Sequence, residues 1–225
     1  MLNKDQLDQI MYIIAQALEV PDIVVLLILV AVSIVLVGTL IAEYFTEHRR
    51  LKVKLPELFD ELNSGEVPIE ECIRASGLLK RQKRALIELT RHPDLTDTMR
   101  EALAVRLITE EQYHYDRIVK VSDLVARLGP IFGLLGTLIP LGPGIVAMGQ
   151  GDTYTLSRSL LTAFDTTILG LISAAVAMVV SMVRRGWYGN YMSALEAVME
   201  CVLEVEKADV GQASEPIVVK QKAIK

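Results

Sequence analysis

Aromatic residues make up only 5% of this 225-residue chain, with one tryptophan, two cysteines and three histidines. Cys72 and Cys201 lie far apart and form no CxxC, which excludes a disulfide framework and a cysteine zinc motif. Both are expected to be reduced thiols with a structural role. His48, His92 and His114 are scattered, so no metal site and no cofactor are expected. His114, between Tyr113 and Tyr115, reads as part of a surface helix. Positive charge is also in short supply. With 23 Lys+Arg against 28 Asp+Glu, the net charge is −5, which excludes the basic face that nucleic acid requires. No nucleophile–base pair or phosphate loop is present, and Gly149-Gln-Gly151 reads as a turn. An enzyme is therefore not expected.

What the chain has instead is apolar residues, 52% of the total, with a mean hydropathy of +0.38. They are unevenly spread. Residues 23–42 carry no charge, and residues 128–183 carry only Asp152, Arg158 and Asp165. Residues 43–127 hold 15 Lys+Arg and 16 Asp+Glu. Such a chain is neither a simple soluble globule nor disordered. The run from Ile23 is long enough to cross a hydrocarbon core of about 30 Å. The acidic stretch before it does not resemble a signal peptide, so a permanent span is expected. The second run holds Gly129, Gly133, Gly136, Gly142 and Gly144 with Pro130, Pro140 and Pro143. A membrane helix tolerates that composition because neighbouring helices re-satisfy the freed backbone groups. The third run, from Ser159 to Val183, is joined to the second by a short loop.

The expected protein is an all-α, integral membrane protein with three transmembrane helices, the long helices continuing into a cytoplasmic helical block. The divisions are an extracytoplasmic segment 1–22, a first span 23–43 and the helical block 44–127. A second span 128–149, a loop 150–158, a third span 159–183 and a C-terminal helix and tail 184–225 follow. Arg49, Arg50, Lys52, Lys54, Arg127, Arg184 and Arg185 all fall on one side, which puts the N-terminus outside and the C-terminus in the cytoplasm of a prokaryotic inner membrane. Trp187, Tyr188 and Tyr191 follow the third span, where an interfacial belt would sit. The block should contain helices over 43–62 and 68–91. A third should start with a Thr98–Glu101 capping box and run into the second span as one rod. An amphipathic helix is expected over 186–209. The Lys80–Arg84 cluster reads as a solvated face.

Within the third span, Ser159, Ala163, Thr167, Gly170, Ala174, Ala177 and Ser181 recur at helical spacing as one face of small or hydroxyl residues. Gly133, Gly136 and Thr137 offer the same character in the second span. Small faces let helix backbones approach closely, which assigns Gly133, Gly136, Ala163 and Ala177 to helix packing. Packing alone explains Thr137 and Thr167 less well, because alanine would serve. Their hydroxyls can orient water or an ion along a pore, so Thr137, Thr167, Gly170, Ala174 and Ser181 are the candidate pore-lining residues. Asp165 is the ionisable residue deep in the span, and an intramembrane carboxylate is a functional candidate by default. It lies near Thr162 and below Arg158. Either it pairs with Arg158 or a neighbouring subunit, or it belongs to the ion route.

Gly129-Pro-Ile-Phe-Gly-Leu-Leu-Gly-Thr-Leu138 resembles the start of the penultimate span in the MotA/TolQ/ExbB proton channel family. Leu161-Thr-Ala-Phe-Asp-Thr-Thr-Ile-Leu-Gly-Leu-Ile-Ser-Ala-Ala175 is similar to that family's final span, and the three-span layout to its TolQ/ExbB branch. The resemblance implies that Thr137 and Thr167 fall on the family's pore threonines. It also implies a homopentamer in the lipid bilayer around a single-span ExbD/TolR/MotB-like partner, whose intramembrane aspartate carries the proton. Three spans point to protein transport or envelope energisation rather than flagellar rotation. Two departures stand out. Thr162 occupies the place of a family glutamate, and Pro140 and Pro143 are expected to kink the outer half of the second span. The other reading is an oligomeric membrane scaffold whose helical block recruits partners.

Overall fold

A computed structural model describes residues 4–48, 55–64 and 67–213. Every regular element among these residues is a helix. They are α1 (Lys4–Ala17), α2 (Glu19–Glu43), α3 (Leu55–Ser64), α4 (Ile69–Ala75), α5 (Lys80–Thr90), α6 (Asp97–Gly149) and α7 (Thr153–Ala213), with a π-helical turn over Tyr44–His48 after α2. Three helical stretches are long and apolar enough to cross a membrane: Gln9–Thr46, Asp97–Gly149 and Thr153–Lys207. The chain divides into two units. One comprises residues 1–45 and 116–186, and the other 46–115 and 187–225.

In the first unit α2 turns one face inward. Asp22, Leu26, Leu29, Ser33 and Leu36 recur at steps of three and four residues and are all buried. This is the stripe of a helix packed along one side. Leu29 and Leu36 cluster with Val125 of α6 and with Ala177 and Val180 of α7. Ser33 Oγ donates to the Leu29 carbonyl at 2.9 Å and to the Ser173 carbonyl of α7 at 3.1 Å. At the far end of α2, Arg184 Nε donates to Glu43 Oε2 at 3.1 Å and Arg184 Nη2 to Thr39 Oγ1 at 2.9 Å. Arg184 is only 4% exposed. An arginine that marks the end of a span by its charge also clamps two helices.

α6 is a single rod, as its pattern predicts, and Pro130, Pro140 and Pro143 all lie inside it. Each proline removes one amide donor without ending the helix. The rod begins at Asp97, so Thr98 falls in the first turn and does not cap it. Glu101, the other half of the expected capping box, instead accepts from Lys207 Nζ at 2.7 Å. A turn at Gln150–Asp152 leads into α7, with Gly151 at a φ of +74°, a value that favours glycine.

The second unit is built on bulky side chains. Leu62, Ile73, Leu86, Leu89, Leu195, Val198, Met199 and Val202 form one buried cluster, with Cys72 inside it and Cys201 packed against it. Both cysteines are free thiols, and burial pushes each thiol up from its ordinary value, which disfavours the thiolate.

Two expectations for this unit change. The helix expected over 68–91 is two helices. Ser76 Oγ closes the end of α4 on the Ile73 carbonyl at 2.6 Å. The Leu79 amide then opens α5 on Gln82 Oε1 at 3.1 Å. Tyr188 and Tyr191 do not form an interfacial belt. They are buried, and their rings gather around Tyr115, with the Tyr115–Tyr188 centroids 4.5 Å apart. The basic cluster at 80–84 does present a solvated face, with Lys80, Arg81 and Arg84 exposed, and the same helix also makes internal contacts. Arg81 makes a two-pronged contact with Glu111 at 3.0 and 3.1 Å, and the buried Gln82 donates to the Tyr191 carbonyl at 2.7 Å. The helix expected over 43–62 is seen as the π-helical turn and α3, and residues 49–54 between them lie outside the described residues.

Candidate functional site

The candidate site is the seam where α6 and α7 meet within the first unit. A methyl group added at Gly129 would lie 2.5 Å from the Gly170 carbonyl oxygen. One added at Gly170 would lie 2.8 Å from the Gly133 Cα. Backbone therefore meets backbone at this crossing, and a side chain at Gly129 or Gly170 would push the helices apart. Gly129 and Gly170 are glycine because of that close approach, whereas a methyl at Gly133 would meet its neighbours at 3.4 Å or more, an ordinary contact.

Thr137 and Thr167 stand at the edge of the seam, half-buried. Thr167 Oγ1 donates to the Ala163 carbonyl at 3.0 Å and lies 3.5 Å from the Gly133 carbonyl across the seam. Thr137 Oγ1 donates to the Leu134 carbonyl at 2.6 Å. With each hydroxyl hydrogen committed to a backbone carbonyl, the lone pairs are what each oxygen offers. The pair presents uncharged acceptors suited to water or a cation.

The remaining candidate residues divide by face. Ala163, Gly170, Ala174, Ala177 and Ser181 are buried, as are Gly133 and Gly136 on α6. The stripe of small residues is thus the face that α7 turns toward other helices of the same chain. Ser181 Oγ bonds Asp123 Oδ1 at 2.5 Å, and Arg185 reaches the other oxygen of that carboxylate. On the opposite side, Arg158 and Asp165 are exposed, with Leu161, Phe164 and Ile168 around them. Among the described residues no ion pair joins Arg158 to Asp165, so the intrachain pair does not form. Thr162 is half-buried, and its hydroxyl donates to the Arg158 carbonyl at 3.2 Å.

Sequence reasoning missed one buried acid, Asp22. It is 4% exposed, and both carboxylate oxygens lack a hydrogen-bond partner. It falls one residue before the charge-free run and therefore reads as part of a polar flank. The signal was in the spacing, since the buried face of α2 extends backward from Leu26 to residue 22 in register. Asp123 and Glu43 were missed for a similar reason, as members of a highly charged block.

Three long apolar helices, two of them joined at a glycine crossing, define a multi-pass helical membrane protein. The model of the MotA/TolQ/ExbB proton channel family matches residues 74–197. That is more than half of the chain and includes Thr137, Thr167 and the whole seam, and the chain belongs to this family. It is also similar to a Vibrio cholerae protein named biopolymer transport protein exbB1, 27% identical over 123 residues. The match covers 53% of this chain and 54% of that protein, about half the length of each.

Proposed function

We propose that this chain is the proton-conducting subunit of an ion-driven membrane motor that couples proton flow to mechanical work through a single-span partner. The observation that carries the reading is the Thr137–Thr167 pair at the edge of the glycine seam, inside the region matched by a family of proton channels. The pair offers acceptors without a titratable group of its own, and in this reading a second chain supplies the proton carrier within the pore. In this reading copies of the chain assemble, as a homopentamer, around a partner with an intramembrane aspartate. On the same reading Arg127, Arg184 and Arg185 lie on the cytoplasmic side of a prokaryotic inner membrane. The relative's name supports transport as the process driven. One elementary charge crossing 100 mV releases about 2.3 kcal/mol, so a few protons supply a conformational step of ordinary size.

The test is reconstitution of the chain in liposomes, with and without a single-span protein carrying an intramembrane aspartate. Proton flux should require both chains. Thr167→Val and Thr137→Val should each reduce partner-dependent flux by at least about tenfold, roughly 1.4 kcal/mol in barrier, while leaving assembly intact. Unchanged flux in both variants sinks the assignment of the ion route. Flux-free liposomes with an intact assembly would favour the scaffold reading.

A further inference from the structure

Asp22 sits in a tightly packed niche formed with Glu19, Gly136, Pro140, Thr162 and Thr166. The pocket draws on all three apolar helices, and the carboxyl presses against α6. A methyl added at Gly136 would come within 2.9 Å of Asp22 Oδ2 and 2.5 Å of Thr166 Cβ. Neither α6 nor α7 sends a titratable group to the pocket. Glu19, on the same helix as Asp22, is the other acid lining it.

The hydrogen-bonding capacity of this pocket is one-sided. Thr166 Oγ1 donates to the carbonyls of Thr162 and Ala163, both at 3.0 Å. Thr162 Oγ1 donates to the Arg158 carbonyl. Both hydroxyls are directed to backbone carbonyls of their own helix, and neither is donated to Asp22, whose oxygens have no hydrogen-bond partner. Pro140 has no amide to return to the Gly136 carbonyl one turn earlier, which adds another acceptor beside Asp22. An ionised carboxylate, itself acceptor-only, meets acceptors and no cation here. Burying such a charge without partners is costly. A carboxylic acid brings the donor that the pocket lacks.

We propose that Asp22 is a proton-binding site of this chain, its buried and unpartnered carboxyl held protonated in the niche lined by Gly136, Thr162 and Thr166. The step is protonation of a carboxylate oxygen, and release returns the same proton. The pocket lies level with the candidate ion route, since Gly136 and Thr166 are the sequence neighbours of Thr137 and Thr167. A role in handing protons to that route rests on the proposed function, whereas binding of the proton does not.

The test is infrared spectroscopy of the full chain in lipid nanodiscs, reading the C=O stretch of protonated carboxyl groups at neutral pH. The unaltered chain should show a band that is lost in Asp22→Asn and retained at a shifted frequency in Asp22→Glu. The band should be the same whether the counter-ion is sodium or choline. Isotope labelling keeps the test open if Asp22→Asn does not assemble. Labelled aspartate should move the band in the unaltered chain, and labelled glutamate should move it in Asp22→Glu. Absence of the band at neutral pH overturns the proposal. So does a band that survives Asp22→Asn. Loss of the band in sodium alone would make this a metal-cation site and overturn the assignment to a proton. A chain that shows the band yet conducts no protons with any partner defeats the ion-route reading and leaves this one standing.

Discussion

Leu86, Leu89 and Val198 fill the interior of the helical block, whereas Gly129, Gly133 and Gly170 occupy the corresponding place in the membrane unit. In the block, bulky side chains keep the backbones apart and exclude water from the space between them. In the membrane unit lipid is as apolar as leucine, so burying large side chains gains little, and close backbone approach does the packing. The difference bears on function. A core of leucine leaves no place for a polar path, while a seam of glycine brings carbonyls and hydroxyls within reach of one another at its edge.

Charge should be the one respect in which the units behave alike. Each holds a buried arginine–glutamate pair, Arg184 with Glu43 in the membrane unit and Arg100 with Glu206 in the block. Removing one partner strands the other, at a cost of about 3–5 kcal/mol. Arg184→Gln and Arg100→Gln are therefore expected to produce the largest losses, measured by thermal unfolding in nanodiscs. A near-neutral Arg184→Gln would break the parallel, since it would mean that the clamp between α2 and α7 is solvated.

Side-chain size should separate the units by sign. Leu86 is fully buried, and Leu86→Ala is expected to cost about 2–5 kcal/mol through lost burial and the cavity left behind. At Gly170 the direction reverses. Gly170→Ala adds a single methyl and is expected to cost about 1–3 kcal/mol by overpacking, because that methyl meets the Gly129 carbonyl at 2.5 Å. Unfolding midpoints of the two variants provide the check. If Gly170→Ala stabilises the chain, the close crossing is wrong.

How much of this could be read beforehand depended on whether the signal was local. Span length and the uninterrupted α6 follow from hydropathy and from the absence of breakers between Asp97 and Arg127. The small stripe from Ser159 to Ser181 was visible as periodicity. What it faces was not, because Gly and Ala at helical spacing look the same beside a partner helix and beside a water-filled path. Asp22 was hidden by its position at the edge of the charge-free run, although its register with Leu26 and Leu29 places it on the buried face. Tyr188 and Tyr191 followed the rule for interfacial aromatics until Tyr115, more than seventy residues earlier, supplied a ring to pack against. The two-helix break was signalled by Ser76-Gly77, where the Ser76 hydroxyl closes α4, but the start of α5 carries no Ser, Thr, Asp or Asn cap and opens on Gln82 instead.

The smallest expected effect concerns the turn into α7, where neither style of packing operates and a single side chain sets the start of the helix. Asp152 Oδ2 accepts from the Thr155 hydroxyl at 2.5 Å and Oδ1 from the Thr155 amide at 3.0 Å, as an N-cap should. The hydroxyl first, and the amide second, hold the carboxyl below its ordinary value of 3.8. A depressed folded value means that the cap's contribution is fully present above 3.8. It is then lost as pH falls through the lower value of the folded state. Hydrogen exchange at the first-turn amides of α7 should therefore stay protected at neutral pH and lose part of that protection below the ordinary aspartate range. Asp152→Asn keeps an acceptor but cannot titrate, so it should flatten this pH dependence while leaving protection in the Leu86 and Gly170 regions unchanged. A pH response that persists in Asp152→Asn would place the titrating group elsewhere and remove the cap as its cause.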